Sequence, residues 1–265
     1  MDNPLCHRRR QAAKIVPCGE HREDWSVVST IDELLQRKSV RKYEPRAVPD
    51  EVKQTIIECA INAPTAGNQM LYTILDVQSQ AIKDQLAKLC DHQPFIAEAP
   101  LVLVFLADCR RWHDAYVLAG CDARDPGPAD LILACEDTMI AAQNAVVAAH
   151  TLGLGSCYIG DVVENREQMV QLLGLDKWVF PVSLVVFGYP TAQQLARRKP
   201  TRFGAQYVVL PDRYRRLSDD ELRQMYADRD EDFEPFITAF CKRKYMSEFS
   251  LEMNRSVRGY LEAYE

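Results

Sequence analysis

The chain has 265 residues, enough for one large domain or for a core of about 200 residues with appendages. With 47% hydrophobic and 26% charged residues it is ordinary globular material, which excludes collagen, coiled coil and wholesale disorder. The 32 basic against 38 acidic side chains, net −6, argue against nucleic acid or a polybasic membrane contact as the main partner.

Residues 1–28 show no sustained period and contain Pro4, Pro17 and Gly19, so they read as an irregular arm. Cys6, His7, Cys18 and His21 within it match no standard zinc-finger spacing, and no metal site is expected. Thr30 and Glu33 have the spacing of a capping box ahead of Ile31, Leu34 and Leu35, which predicts a short helix running into Arg37. A second helix opens at Asp50, shows Val52, Ile56, Cys59 and Ala60 on one face, and stops near Pro64. Turn residues Thr65 to Asn68 follow, then a strand from Tyr72 to Val77, a helix from Ile82 to Cys90 and a buried strand from Leu101 to Ala107.

Asp130 reads as the cap of a helix from Leu131 to Leu152, apolar on nearly every side and therefore expected at the centre of the fold. Glu136, Asp137, Gln143, Asn144 and His150 interrupt it, so it reads as a core helix and not a membrane span. Ser156 to Gly160 and Val182 to Gly188 predict two more strands, with a helix from Arg166 to Leu173 between them. Ser218 with Glu221 forms another capping box for a helix to about Asp228. The last helix, Glu248 to Tyr264, offers Phe249, Met253, Val257 and Leu261 as its packing face. Alternating short apolar strands and helices imply an α/β or α+β layered sheet. Nine cysteines, an odd number without a Cys-x-x-Cys pair, and no apolar leader behind Arg8 to Arg10 suggest a reducing cytoplasmic location.

The informative stretch is Arg37-Lys38-Ser39-Val40-Arg41. If extended, it places Arg37, Ser39 and Arg41 on one face, two guanidinium forks flanking a hydroxyl, which suits a phosphate monoester. The alternative is a solvated basic helix end. A second basic cluster, Arg197 to Phe203, carries Lys199 and Arg202 after the last strand. Two loops of small residues, Ala63 to Asn68 and Cys157 to Asp161, leave buried elements where a planar ligand can approach backbone closely.

In chain order these features resemble the nitroreductase family of FMN-dependent oxidoreductases, from about Thr30 to Phe203. The matching motifs are Arg37-x-Ser39-x-Arg41 with Tyr43, the Ala63-Pro64-Thr65 loop ending at Asn68, Ile159-Gly160, and Gly188 to Arg202. The resemblance implies an α+β fold in which a mixed, mainly antiparallel sheet is flanked by helices around a long central helix. It also implies an intertwined homodimer with FMN at the subunit interface. On that pattern Arg37, Ser39 and Arg202 hold the FMN phosphate with Lys38 and Lys199 nearby, and Arg41 reaches the pyrimidine edge of the ring. Pro64, Thr65, Ala66 and Asn68 pass close to the ring, partly from the opposite subunit, and the backbone at Ile159 and Gly160 faces flavin N5. The chain departs from the pattern at Gln69-Met70-Leu71-Tyr72 and at Asp91-His92-Gln93, where Gln93 offers a neutral hydrogen bond in place of a cation.

Trp112 and Tyr116 are candidates for the substrate pocket, beside a Gly120 to Pro128 loop that is either a lid or plain surface. His92, His113 and His150 read as structural histidines. The domain reading is an arm at 1–28, an FMN-binding domain at 29–203, and a helical extension at 204–265 that packs on the core or on a partner subunit. The expected function is hydride transfer from NADH or NADPH through FMN to a small electron-poor acceptor, a nitroaromatic, quinone or enone, in a ping-pong cycle with no obligatory catalytic side chain. Flavin-dependent reductive dehalogenation, flavin cleavage and non-catalytic flavin binding are the alternatives on the same fold.

Overall fold

The computed structural model describes residues 30–265; the N-terminal arm and its Cys and His residues lie outside the described residues. The elements are α1 (Thr30–Gln36), α2 (Asp50–Ile61), β1 (Tyr72–Asp76), α3 (Gln80–Leu89), α4 (Phe95–Glu98), β2 (Leu101–Asp108), α5 (Arg110–Leu118) and α6 (Pro128–Thr151). They continue with β3 (Gly155–Ile159), α7 (Arg166–Leu173), β4 (Val179–Gly188), α8 (Ala192–Ala196), α9 (Ala205–Val208), α10 (Asp219–Ala227), α11 (Phe233–Phe240) and α12 (Glu248–Leu261).

The four strands form one antiparallel sheet in the order β1-β2-β4-β3. Alternation along β2 sends Val102, Val104 and Leu106 to one face and Leu101, Leu103 and Phe105 to the other. The first face packs α3, α4, α7 and, through Met253 and Val257, α12. The second packs Ile56 and Ala60 of α2 and Ala142, Ala145, Val146 and Ala149 of α6. The sheet is thus an α+β sandwich whose central strands are buried on both sides, which is why they read as continuous apolar runs. The register shifts between Phe105 and Leu106, opposite Pro181. Proline is tolerated there because β3 pairs with β4 only from Leu184 onward, so Pro181 faces no ladder on that side.

Several boundaries and faces differ from the sequence expectation. Gly127 caps α6, Pro128 opens it, and Asp130 sits at the third helical position with its carboxylate accepting the Gly127 N–H at 2.8 Å. Thr30 is itself helical in α1, so it is not the residue before the helix. The α6 helix is central but not buried all round: Ile132, Met139 and Ile140 are exposed on the side turned away from the sheet. By length and composition α6 could cross a membrane, and here its other side is the floor of the core. The buried positions of α12 are Ser256 and Tyr260, flanked by Met253 and Val257, whereas Leu261 is exposed.

Helices α4, α5, α8, α9 and α11 have no counterpart in the sequence reading. In α11, Phe233, Phe236 and Phe240 meet Tyr226 of α10 or one another in an aromatic cluster. Pro235 is harmless there because it lies in the first turn, where its missing N–H has no helical partner to lose.

Candidate functional site

Residues 37–41 leave α1 and run beside β3. Ser39 forms a parallel bridge with Ser156, the Val40 N–H donates to Ser156 O at 2.9 Å, and Tyr43 bridges Pro190. The segment is therefore extended, and alternate side chains take opposite sides. Val40 is buried and fits over Gly155, where an added Cβ would lie 2.5 Å from a Val40 methyl. Lys38, on the same side as Val40, donates its ammonium to the carbonyls of Leu195 (2.7 Å) and Arg197.

Arg37, Ser39 and Arg41 take the other side and all act on the thiol of Cys157 in β3. Burial raises that thiol's pKa, while Arg41, the Ser39 hydrogen bond and Arg37 pull the other way. The Arg37 guanidinium lies 5.9 Å from the Tyr158 ring centroid, and Arg41 lies 5.8 Å from that of Phe95. One Arg37 nitrogen, Nη1, is fully buried with no acceptor. A cavity of about 150 Å³ adjoins it, lined among others by Gln36, His150, Ser156 and Gln194. Burial depresses the His150 pKa, Glu33 opposes this, and Arg37 and Lys199 add to the depression.

Lys199 donates to the carbonyls of Leu35 and, at 3.5 Å, Leu34, so it closes the C-terminal end of α1. Together with Lys38 it forms a reciprocal tie that draws the segment after β4 onto the 37–41 strand. Arg202 is exposed just beyond this tie. At the far end of β3, Ile159 is buried and Gly160 opens a 3-10 turn, Asp161–Val163. Gln93 is fixed there: its amide donates to Asp161 Oδ2 at 2.6 Å and to Cys90 O at 2.9 Å.

The Pro64 to Asn68 loop lies elsewhere. It precedes β1, and β1 and β3 are opposite edges of the sheet, three strand spacings or roughly 14 Å apart. Gly67, Asn68 and Met70 all have positive φ (55°, 59° and 52°), which makes the loop tightly coiled. It is organised by Asp137 of α6, a residue whose role the sequence did not reveal. Its buried carboxylate accepts the Thr65 hydroxyl, the Ala66 N–H at 2.9 Å and the Leu71 N–H at 3.2 Å. Thr65 in turn accepts the Met70 N–H at 2.8 Å. An aspartate inside an apolar helical face was the available signal, since a buried carboxylate must be fully hydrogen-bonded.

Trp112 and Tyr116 are on α5, their ring centroids 5.7 Å apart. They line a cavity of about 410 Å³ with Gln69, Leu71, His113, Arg124 and Asp130. Trp112 Nε1 donates to Gln69 O at 2.7 Å, which joins this wall to the Pro64–Asn68 loop. The structure thus groups the predicted residues in two sets: Arg37 to Arg41 with Gln93, Ile159, Gly160 and Lys199, and Pro64 to Asn68 with Trp112 and Tyr116.

The model of the nitroreductase family matches residues 34–189. The chain is 31% identical over 238 residues to a Bacillus subtilis protein named FMN reductase [NAD(P)H], covering 88% of this chain and 90% of that one. It is 27% identical to the NADPH-flavin oxidoreductase of Vibrio harveyi, over 87% of this chain and 92% of the relative. The solved structure of Bacillus megaterium NfrA2 superimposes with a TM-score of 0.74 at 28% identity, covering 86% of this chain and 96% of that one. Matching the family model over more than half its length, and a relative of this similarity over nearly all of it, this chain belongs to the nitroreductase family.

Proposed function

We propose that the protein is an FMN-dependent oxidoreductase that moves hydride from NAD(P)H to a small electron-poor acceptor such as a nitroaromatic, quinone or enone, in two half-reactions at one face of the flavin. The observation that carries this reading is the buried Arg37 Nη1 without an acceptor, on an extended strand whose same face carries Ser39 and Arg41. Buried guanidinium donors in native proteins have partners, and a phosphate oxygen supplies one with the fork geometry that arginine prefers. The residues present therefore fit an FMN phosphate. Similarity to proteins named for FMN and NAD(P)H supports the same assignment.

Bound FMN would supply the two-electron chemistry at its N5 atom. Arg37 and Ser39 would hold the phosphate, with Arg202 free to close over it and Lys38 and Lys199 tying the two basic segments together. Arg41 would place positive charge toward the pyrimidine edge of the ring, where it stabilises negative charge gained on reduction. The backbone of Ile159 and Gly160 would orient the reactive edge. The Pro64–Asn68 loop and the Trp112 and Tyr116 wall would bind and orient the acceptor and exclude water.

The two groups of site residues lie on opposite sheet edges, so a second copy of the chain would bring the loop of one protomer to the arginines of the other. The exposed Ile132, Met139 and Ile140 stripe of α6 suits such a homodimer, as do exposed Ile31 and Leu35 of α1. We assign residues 29–203 to the FMN-binding unit and 204–265 to a helical segment that folds back over it through α12. The seven described cysteines are all free, in keeping with a reducing, cytoplasmic setting.

Purified protein should be yellow and should bleach on anaerobic addition of NADPH, then recover its colour with a quinone. A colourless protein that takes up no added FMN refutes the assignment.

A further inference from the structure

We propose that the Asp161 and Glu164 carboxyl groups hold one exchangeable proton beside the Gly160 turn and couple it to the charge on the bound flavin. This rests on the reading above, in which Gly160 faces the reactive edge of the ring.

Glu164 ends the 3-10 turn that Gly160 begins; its backbone N–H donates to Asp161 O at 3.0 Å. Its side chain is only 4% exposed, and Oε1 is buried with no donor. Asp161 is different: Gln93 donates to it at 2.6 Å, and Gln93 is locked by its second bond to Cys90 O. The Asp161 carboxyl is close enough to disfavour a charge on Glu164. Asp161 has an N–H donor and the buried Glu164 Oε1 has none, so Glu164 is the carboxyl that favours its neutral form.

The charged groups that act most strongly on Glu164 are anions: Asp161 on its own turn, Asp91 on the turn after α3, and Glu252 on α12. The nearby α12 cation, Arg255, is taken up by Glu252 and Glu167 at 2.7 and 2.8 Å. The Cys90 thiol packed against the pair is held neutral by burial. Burial first, then Asp161, push the Glu164 carboxyl up to about 8. Glu164 is thus neutral below about pH 8 and adds a negative charge beside Asp161 in alkali.

A second negative charge here opposes electrons added to the adjacent ring. Conversely, two electrons delivered to the ring raise the affinity of Glu164 for a proton. Between about pH 8 and the higher value that Glu164 has beside the reduced ring, reduction draws up to one proton from solvent onto the Glu164 carboxylate, in addition to those bound by the flavin itself. The reduction equilibrium in that window changes by up to a further tenfold per pH unit, about 30 mV for a two-electron couple.

The test measures the reduction potential of the FMN-loaded protein by reductive titration with dithionite from pH 6 to 10, for the wild type, Glu164→Gln and Asp161→Asn. In parallel, carboxyl-labelled glutamate in the wild type is titrated by NMR without flavin. The expected results are a steepening near pH 8 that is absent in both variants, and one glutamate titrating far above the rest. Parallel potential curves in all three flavin-bound proteins, or no high-titrating glutamate, overturn the proposal. Failure of the wild type to take up FMN overturns the functional reading as well, and is recognised separately by its colourless spectrum.

Discussion

Removing the Asp137 carboxylate should unfasten the Pro64–Asn68 loop. Asp137→Ala leaves the Ala66 and Leu71 N–H groups without the acceptor they have at 2.9 and 3.2 Å. An orphaned buried donor costs about 1–3 kcal/mol, so two cost about 2–6 kcal/mol. The Thr65 hydroxyl can rotate toward another acceptor and adds little. Relief from desolvating the carboxylate offsets part of the cost, which leaves a net loss of about 2–4 kcal/mol. Asp137→Asn keeps one acceptor oxygen but turns an amide N–H toward backbone donors, so it should fall between wild type and alanine. Urea unfolding followed by circular dichroism gives the difference directly, provided the slope of free energy against urea is unchanged. Limited proteolysis should cut first near residues 66–70. An alanine variant within about 0.5 kcal/mol of wild type, uncut at the loop, would mean that Asp137 does not organise it.

Gly155→Ala should weaken FMN binding, because the new methyl meets Val40 at 2.5 Å and displaces the 37–41 strand; about 1–3 kcal/mol of stability should go with it, read by urea unfolding and flavin fluorescence. Arg37→Ala should weaken FMN by about tenfold or more, the value of a charged hydrogen bond, while Lys38→Ala should cost less because its ammonium faces the Leu195 and Arg197 carbonyls; equal losses in a flavin titration would show that the strand is only a basic surface. The depressed His150 pKa means that the unfolded chain takes up a proton the native one resists, so this contribution to stability is present above about pH 6.5 and is lost as pH falls. Inorganic phosphate bound at Arg37 should raise the His150 titration seen by proton NMR, and no change would place the anion elsewhere. Glu164 has the opposite pattern for a carboxyl: the native state binds more protons than the unfolded one between its ordinary value of 4.5 and about 8. Its contribution is therefore fully present below pH 4.5 and is lost as pH rises to 8, and Glu164→Gln should flatten that decline in urea unfolding.

Much of the fold was legible because local rules and global packing agree. The strands read at 101–107 and 182–188 are apolar runs of strand length, although β4 starts earlier, at Val179; Asp50 follows Pro49 at a helix start, and Ser218 with Glu221 closes a capping box on α10. Helices α5 and α11 were missed because their faces are set by partners distant in sequence, Gln69 for Trp112 and α10 for the α11 phenylalanines. The cap of α6 was misplaced because an aspartate serves equally well before a helix or at its third position, and only the backbone conformation tells which.

Sequence alone determined the spacing of Arg37, Ser39 and Arg41, since an extended chain has a period of two whatever surrounds it. It could not say that the segment is extended; the ladder with Ser156 and the fit of Val40 over Gly155 decide that. The acidic total of −6 likewise left open where positive charge collects. Lys38 and Lys199 answer it by tying together two basic segments some 160 residues apart, a contact made by carbonyls that every residue carries and no side-chain pattern announces. Asp137 and Glu164 show the same limit in opposite senses. Both are carboxylates in apolar surroundings, and only the donors the fold supplies separate one that anchors a loop from one that keeps its proton.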